Sequence, residues 1–338
     1  MSNYHIAAVR NGVPYTKIRH TGGEVIMDAS AAIKRALRCT LHDVPEEVDL
    51  LLDRLRVYDG ETPVGTFIAT TAPHTTSATG AVTYAIEAYD LTYLLQRNGV
   101  EKQTDAYWPA GTLYTEAVKQ ILVRCGISEW IIKESPLAMS TDRSNWDPGT
   151  SWLEIANQLL QEIGYNTVWF DSNGTVRIEP YVAPELRSIA HSYQQGPDST
   201  ILLQHEGQDD TFGAANVFTV LVDNPDLEEP IWVQSINDDP TSRLSVARRG
   251  RIVAPPVKLD GIANRAAAQA YCNDLKRRSM ISTETATVQT KPESGHEFLD
   301  ILEVDLPGLT GKWEEIEWEL PLDGLGLMSH KIRRAIYV

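Results

Sequence analysis

The sequence predicts a mainly β protein carrying an α+β insert, and three observations support this. Residues 64–98 run strand, polar loop, strand. Gly65-Thr-Phe67-Ile68-Ala-Thr rises from a turn, and Val82-Thr-Tyr84-Ala-Ile86-Glu-Ala88-Tyr89-Asp90 returns with large apolar residues at every second position, the period of a half-buried strand. From residue 98 to 184 the spacing becomes helical and ends in a hairpin. After Pro184 alternation resumes, most cleanly in Glu315-Ile316-Glu317-Trp318-Glu319-Leu320, which predicts one apolar face and one acidic, solvated face.

Residues 1–97 are strand-like apart from one ambiguous stretch. In Ala29–Leu41, Ile33, Leu37 and Leu41 fit one helical face, while Ile33, Leu37, Cys39 and Leu41 set against Lys34, Arg38 and Thr40 fit strand alternation with an exception at Arg35. Pro45 interrupts pairing because it lacks a ladder donor. In Asp90-Leu91-Thr-Tyr93-Leu94-Leu95 the period shifts toward the helical.

In residues 98–184, Thr112 is the expected N-cap of a helix over Leu113–Cys125 with Gly126 as its stop, and Leu113, Ala117, Ile121 and Leu122 form its stripe. A second helix, Trp152–Ile163, is preceded by Ser151 with Glu154 at capping-box spacing and ended by Gly164. Asn166-Thr-Val168-Trp169-Phe170, the turn Asp171-Ser-Asn-Gly174 and Thr175-Val176-Arg-Ile178 read as a β-hairpin whose glycine supplies the positive φ of the turn. Pro180–Pro184 is the exit linker.

Residues 185–338 return to strands: Asn216–Val222, Glu229–Ser235, Arg251–Ala254, Glu284–Gln289, Ile301–Asp305, Glu314–Leu320 and Ile332–Val338. Turn clusters at Asp223–Asp226 and Asn237–Pro240 separate them. Gly261–Met280 is an alanine-rich helix that Asp260 could cap.

The order of these segments resembles the baseplate-hub, or tail-hub, proteins of tailed phages and phage-derived particles. The Gly65-Thr-Phe67-Ile68 strand, the hairpin and Asp90-Leu91-Thr-Tyr93-Leu94-Leu95 are similar to the close of that family's first barrel. Gly23–Asp28, Ile33–Asp43 and Leu55–Tyr58 resemble its opening strands, and Phe212–Val220 the strand that opens its second barrel. Asp238–Arg243, Gly261–Met280 and Pro292–Asp305 follow in the family's order.

The resemblance implies strand for the ambiguous stretch and two tail-tube-like β-barrel domains, 1–97 and 185–338, the latter including helix 261–280. The helix and β-hairpin domain 98–184 would lie outside the tube and brace neighbouring subunits. It also implies a non-enzymatic homotrimer forming a pseudo-hexameric ring at a virion tail tip or the tip of a contractile injection system. The implied partners are a distal tail or tube protein and a spike or central fibre, with the tape-measure protein reaching the lumen.

Composition agrees. A chain of 338 residues is long enough for two or three domains. It has no run of the ~18 apolar residues that would span a bilayer, and Met1-Ser-Asn-Tyr-His lacks the order of a signal peptide, so synthesis as a soluble protein in the host cytoplasm is expected. Cys39, Cys125 and Cys272 are odd in number and far apart, which suits buried small residues rather than a disulfide framework or a zinc site. The net charge of −16 is spread: 22 acids face 15 bases through Pro184, and 24 face 15 thereafter. DNA-holding proteins need Lys and Arg to displace counterions, so specific nucleic-acid binding is not expected. An acidic wall would suit DNA sliding through a lumen, and acidity equally keeps a precursor soluble.

The search for chemistry yields no catalytic, cofactor-binding or metal residues. The chain has no G-x-S-x-G elbow, no phosphate loop and no H-E-x-x-H helix, and its eight histidines are scattered. His205-Glu206 with Asp209-Asp210 reads as an acidic loop, and Gly324-Leu-Gly326 as a turn. Neither Asp238-Asp239 nor the Glu315, Glu317 and Glu319 face shows the apolar setting that glycan cleavage requires of one carboxyl.

Arg248, Arg249 and Arg251 are the candidate interface residues, with Lys276–Arg278 and Lys331–Arg334 as further basic clusters. Two rival readings remain. One is a tail-associated cell-wall hydrolase. The other is a carbohydrate- or receptor-binding tip module, which would expose Trp108, Trp130 and Trp313 together.

Overall fold

The computed structural model describes residues 3–144, 146–209, 214–222, 229–259, 265–279 and 281–337. The chain forms two compact units, Met1–Gln204 with Val288–Ile332 and His205–Thr287 with Arg333–Val338.

Unit one opens with β1 (Tyr4–Arg10), β2 (Val13–Asp28), β3 (Arg35–His42), β4 (Arg54–Asp59), β5 (Thr62–Thr71), β6 (His74–Thr76) and β7 (Val82–Asp90). Six of these close an antiparallel barrel in the order β1-β4-β5-β7-β3-β2 and back to β1, with β6 paired to β7. Closure removes the unpaired edges that an open sheet would expose. Leu37, Cys39 and Leu41 point inward with Ile6, Val25 and Phe67, so the strand period governs the ambiguous stretch from Arg35 on, while residues 29–34 form the turn that precedes it. Arg35, the exception to the alternation, points inward too and is 1% exposed.

The 16-residue strand β2 bends at a bulge, where its register against β3 shifts between Thr21 and Glu24. Gly23 occupies that bulge with φ of +102°, and a Cβ there would lie 2.4 Å from the Arg38 carbonyl oxygen. Only glycine fits so close an approach.

α1 (Thr92–Arg97) leads into the insert, which contains α2 (Tyr114–Arg124), β8 (Trp130–Ile132), α3 (Trp152–Glu162), β9 (Trp169–Phe170) and β10 (Val176–Ile178), the strands ordered β8-β10-β9. Val118, Ile121, Ile155, Leu159, Phe170 and Val176 meet in one core. The Ser151 hydroxyl accepts the Glu154 N–H at 3.2 Å and caps α3 as expected. Asp171 accepts from the N–H groups of Asn173 and Thr175 in the hairpin turn, and Gly174 has φ of +85°.

Thr112 does not cap α2. Its hydroxyl donates to the Pro109 carbonyl, while its own carbonyl accepts from Met139 and the Tyr114 N–H donates to Leu137. That pairing holds Leu113 extended at the N-cap position, and the helix starts one residue later than expected.

Unit two contains β12 (Glu206–Asp209), β13 (Val217–Val222), β14 (Ile231–Ile236), α4 (Val246–Arg249), β15 (Val257–Leu259) and α5 (Arg265–Ser279). Helix α5 lays Ala268 and Cys272 on Phe218, Val220 and Val233 of the three-stranded sheet β14-β13-β15. The strand expected at Arg251–Ala254 is reduced to a bridge between Val217 and Val253. The buried Asn216 side chain accepts the Ile252 N–H and donates to the carbonyls of Leu244 and Gly250, taking one ladder donor of the segment, while the Val217 N–H still donates to Ile252 and the Ala254 N–H to Val217. The expected cap Asp260 and the turn Asp223–Asp226 lie outside the described residues.

The remaining strands are β11 (His191–Gln194), β16 (Ile281–Thr290), β17 (Ile301–Leu306), β18 (Leu309–Pro321) and β19 (Met328–Tyr337). β11 pairs in parallel with β17, which pairs with β18. The far half of β18 pairs with β2 of the barrel, with Glu317 opposite Asp28, and β18 also neighbours β19.

Between its two partners β18 breaks its alternation. Trp313 and Trp318, five residues apart, are both buried, which strict alternation forbids. Glu315 and Ile316 make the connection: the Glu315 N–H donates to Asp300, and the Ile316 carbonyl accepts from Ala29. The expected solvated acidic face is therefore corrected at Glu315, which is 1% exposed, whereas Glu319 remains exposed.

Candidate functional site

The slip in β18 carries Glu315 inward against two histidines. His296 lies in the loop between β16 and β17, and His330 lies on β19. The Glu315 carboxylate accepts from His296 Nδ1 at 2.8 Å through Oε2 and from His330 Nδ1 at 2.5 Å through Oε1. All three side chains are buried. An ionised carboxylate in such a place requires charge-assisted partners, and the two imidazoles supply them.

A second ring of groups surrounds the first. The Tyr193 hydroxyl on β11 lies 2.9 Å from His296 Nε2 and 3.3 Å from a Glu293 oxygen. The Thr290 hydroxyl at the end of β16 lies 2.8 Å from His330 Nε2 and 3.0 Å from the Lys291 carbonyl. His191, also on β11, stacks on His296 with ring centroids 3.7 Å apart and planes 5° from parallel. It faces Asp300 at 3.7 Å and Glu293 at 3.8 Å.

Burial pushes the Glu315 carboxyl upward, but the hydrogen bonds from His296 and His330 outweigh it, and the group titrates below its ordinary value. His330 is lowered, chiefly by burial and against the pull of Glu315. Burial would lower His191 as well, yet the Asp300 and Glu293 carboxylates raise it. Burial and the nearby carboxylates of Glu293 and Glu315 raise Tyr193. Chemically, the cluster can hold exchangeable protons or offer converging donors to a cation. Among the described residues, two groups have the spacing for a metal, His191 with Glu293 and His296, and His296 with Glu315 and His330.

The residues singled out in the sequence lie elsewhere. Arg248 and Arg249 lie in α4, and Arg251 follows it; Arg248 and Arg251 are exposed. Arg251 reaches Gln234 at 3.5 Å. His205 precedes β12, whose Asp209 is paired opposite Glu284, and Asp210 lies outside the described residues. Asp239 accepts from Thr241 in a turn, and Asp323 accepts from Leu325 and Gly326 in another. Trp108 and Trp313 are buried and Trp130 packs on the insert core, so these three indoles form no exposed patch. The cysteines are free and buried.

A cleft of about 550 Å³ in unit one is lined by Arg10, Asp53, Arg54, Arg56 and Glu129 among others. Its buried acid, Asp53, takes a two-pronged bond from Arg10 at 2.7 Å and a third bond from Tyr15. The Arg10 bonds, aided by Tyr15 and opposed by burial, hold Asp53 well below the usual carboxylate range, which is the wrong direction for a general acid.

No protein-family model matches the chain, and no curated protein matches it. Solved structures do match. The tail protein from Neisseria meningitidis MC58 is 14% identical with a TM-score of 0.66, over 98% of this chain and 96% of that one. The 43 kDa tail protein of prophage MuSo2 from Shewanella oneidensis is 14% identical with a TM-score of 0.67, over 97% and 98%. An E. coli component of the type VI secretion system, described as structurally similar to the T4 bacteriophage tail proteins gp27 and gp5, is 8% identical with a TM-score of 0.52, over 98% of this chain and 76% of that one. At these identities the likeness is one of fold.

Proposed function

We propose that this chain, which has the fold of the phage tail proteins, is a structural hub at the tip of a phage tail or phage-derived particle. Three copies close into a pseudo-hexameric ring that joins the tail tube to a central spike or fibre. The observation that carries this reading is the closed barrel of β1–β5 and β7, continued through β2 into β18, in an architecture matched over nearly the full length of two tail proteins. The role is geometric and non-enzymatic. A closed barrel offers its rim and its outer surface, rather than a sheet edge, for stacking on sister copies.

The division into a first barrel at 1–97, a bracing insert at 98–184 and a second barrel domain at 185–338 belongs to this proposal. Barrel and insert have distinct hydrophobic clusters, and that of the insert also takes in Leu91, Leu94 and Leu95 from just before residue 98. Its partners are two further copies, a distal tail or tube protein, a spike or central fibre and, at the lumen, the tape-measure protein. The charge of −16 suits passage of DNA without adhesion. Among the described residues no helix is long and apolar enough to cross a membrane.

Native mass measurement of the purified chain tests the ring. A trimer is expected, and replacing Arg248, Arg249 and Arg251 together with Glu should weaken it by setting like charge against acidic neighbours. A chain that stays monomeric throughout the micromolar range, or that clears peptidoglycan in a zymogram, sinks the proposal. An unchanged trimer in the triple variant removes the arginines from the interface.

A further inference from the structure

We propose that His296, Glu315 and His330 bind one divalent transition-metal ion of the zinc class in the interior of unit one. Two imidazoles and a carboxylate are the donor set such ions prefer, and these three come from three separate segments that the fold brings together.

Ring geometry selects this trio over the neighbouring one. An imidazole lone pair lies in the plane of its ring. His191 and His296 are stacked 5° from parallel and 3.7 Å apart, so no single ion can lie in both ring planes. The planes of His296 and His330 cross at 46°, and both Nδ1 atoms already point at the same carboxylate. With metal–nitrogen bonds of roughly 2.0–2.1 Å, tetrahedral ligands stand roughly 3.3 Å apart. The Nδ1–oxygen separations of 2.8 and 2.5 Å need to widen by less than 1 Å, a shift within reach of a rotation of the Glu315 carboxylate. Three protein ligands leave the fourth position to water.

The outer ring has the polarity that a metal-bound histidine needs. Each hydroxyl has one proton. Tyr193 faces a carboxylate and Thr290 faces a backbone carbonyl, and both of these groups only accept. When the hydroxyl protons point outward, the hydroxyl oxygens are left to accept Nε2–H from His296 and His330. A neutral imidazole with its proton on Nε2 has its lone pair on Nδ1, directed at the site. Outer acceptors of this kind fix the tautomer of metal-binding histidines. On binding, each neutral imidazole exchanges its Nδ1–H tautomer for the Nε2–H one as the hydroxyl protons turn outward, and the ion takes the two freed Nδ1 lone pairs and ties β18, β19 and the 291–300 loop to one point.

The test uses the full chain, stripped with a chelator and dialysed against Zn2+ alone and, separately, Co2+ alone. One ion per chain is expected, with a raised melting temperature for Zn2+ and visible d–d absorption for Co2+. Glu315→Gln and His330→Gln should abolish both. Because these buried changes could prevent folding, Thr290→Val and Tyr193→Phe serve as milder variants, expected to bind about 10- to 100-fold more weakly. His191→Gln should retain the ion. A folded wild-type chain that binds no ion, binding unchanged by the Thr290, Tyr193 and Glu315 substitutions, or an ion lost with His191 would each overturn the assignment.

Discussion

Arg35 and Glu297 stand 262 residues apart in the chain, and the guanidinium Nη2 lies 2.6 Å from a carboxylate oxygen in the wall of the barrel. The other oxygen of Glu297 accepts the Ser172 N–H at 2.8 Å, in the hairpin turn of the insert. One carboxylate thus joins strand β3, the insert and the loop that also holds His296. Arg35 additionally faces the Trp318 ring at 5.5 Å.

Removing that carboxylate takes from a buried guanidinium the acid bonded to it. Glu297→Ala should cost about 3–5 kcal/mol, the range for breaking a buried pair from one side, and Glu297→Gln should cost less because it still accepts a hydrogen bond. Urea denaturation measures both. An unchanged midpoint in the alanine variant would show that Arg35 needs no partner.

The two glycines of the β2 bulge should respond differently to alanine. At Gly22, φ is +59° and a Cβ meets nothing within 4 Å, so the cost is the left-handed backbone alone, about 1–2 kcal/mol. At Gly23 the same penalty is joined by overlap with the Arg38 carbonyl and Cys39. Gly23→Ala should lower the thermal midpoint well below that of Gly22→Ala, and equal midpoints would mean the bulge relaxes freely.

Asp53 gives a pH dependence whose sign follows from its bonds. Arg10, then Tyr15 and the Asp49 N–H, depress its folded carboxyl against the opposing effect of burial. A depressed folded value stabilises the ionised form, so the contribution is complete above the unfolded value of ~3.9 and is lost as pH falls from there toward the folded value. Stability curves of wild type and Asp53→Asn should run parallel near neutrality and converge in acid below about pH 4. Curves that instead converge as pH rises would reverse the assignment.

The two insert helices test their caps. Ser151→Ala should cost about 1 kcal/mol by freeing the Glu154 N–H, whereas Thr112→Ala, whose hydroxyl donates to Pro109 rather than capping the helix, should stay within about 0.5 kcal/mol. Chemical denaturation of the pair distinguishes them, and equal losses would restore Thr112 as a cap.

Local features were legible wherever a short range of chain determined them. The 166–178 hairpin, the Ser151 cap and the alternation of β3 and β7 depend on residues within a few positions of one another, and the structure reproduces them. Thr112 failed because a partner 27 residues away, Met139, holds its backbone. The strand at Arg251–Ala254 is reduced to a bridge, and the Asn216 side chain takes one of its ladder donors.

The histidine cluster was invisible for a related reason. His296, Glu315 and His330 are 19 and 15 residues apart, with no spacing that either secondary structure would repeat. One signal was available: Trp313 and Trp318 cannot share a buried face under strict alternation, so a break was due between them, and a charged residue at the break is a candidate for burial.

By itself the sequence determined many of the strands and helices and where many of the turns fall, because side-chain periodicity and turn chemistry act over a few residues. The closure of six strands into a barrel, the passage of β18 from one partner strand to another and the burial of Glu315 between two histidines were decided by tertiary structure alone. Those outcomes depend on strand pairings and burial across distant parts of the chain, of which the local pattern carries only the break in alternation between Trp313 and Trp318.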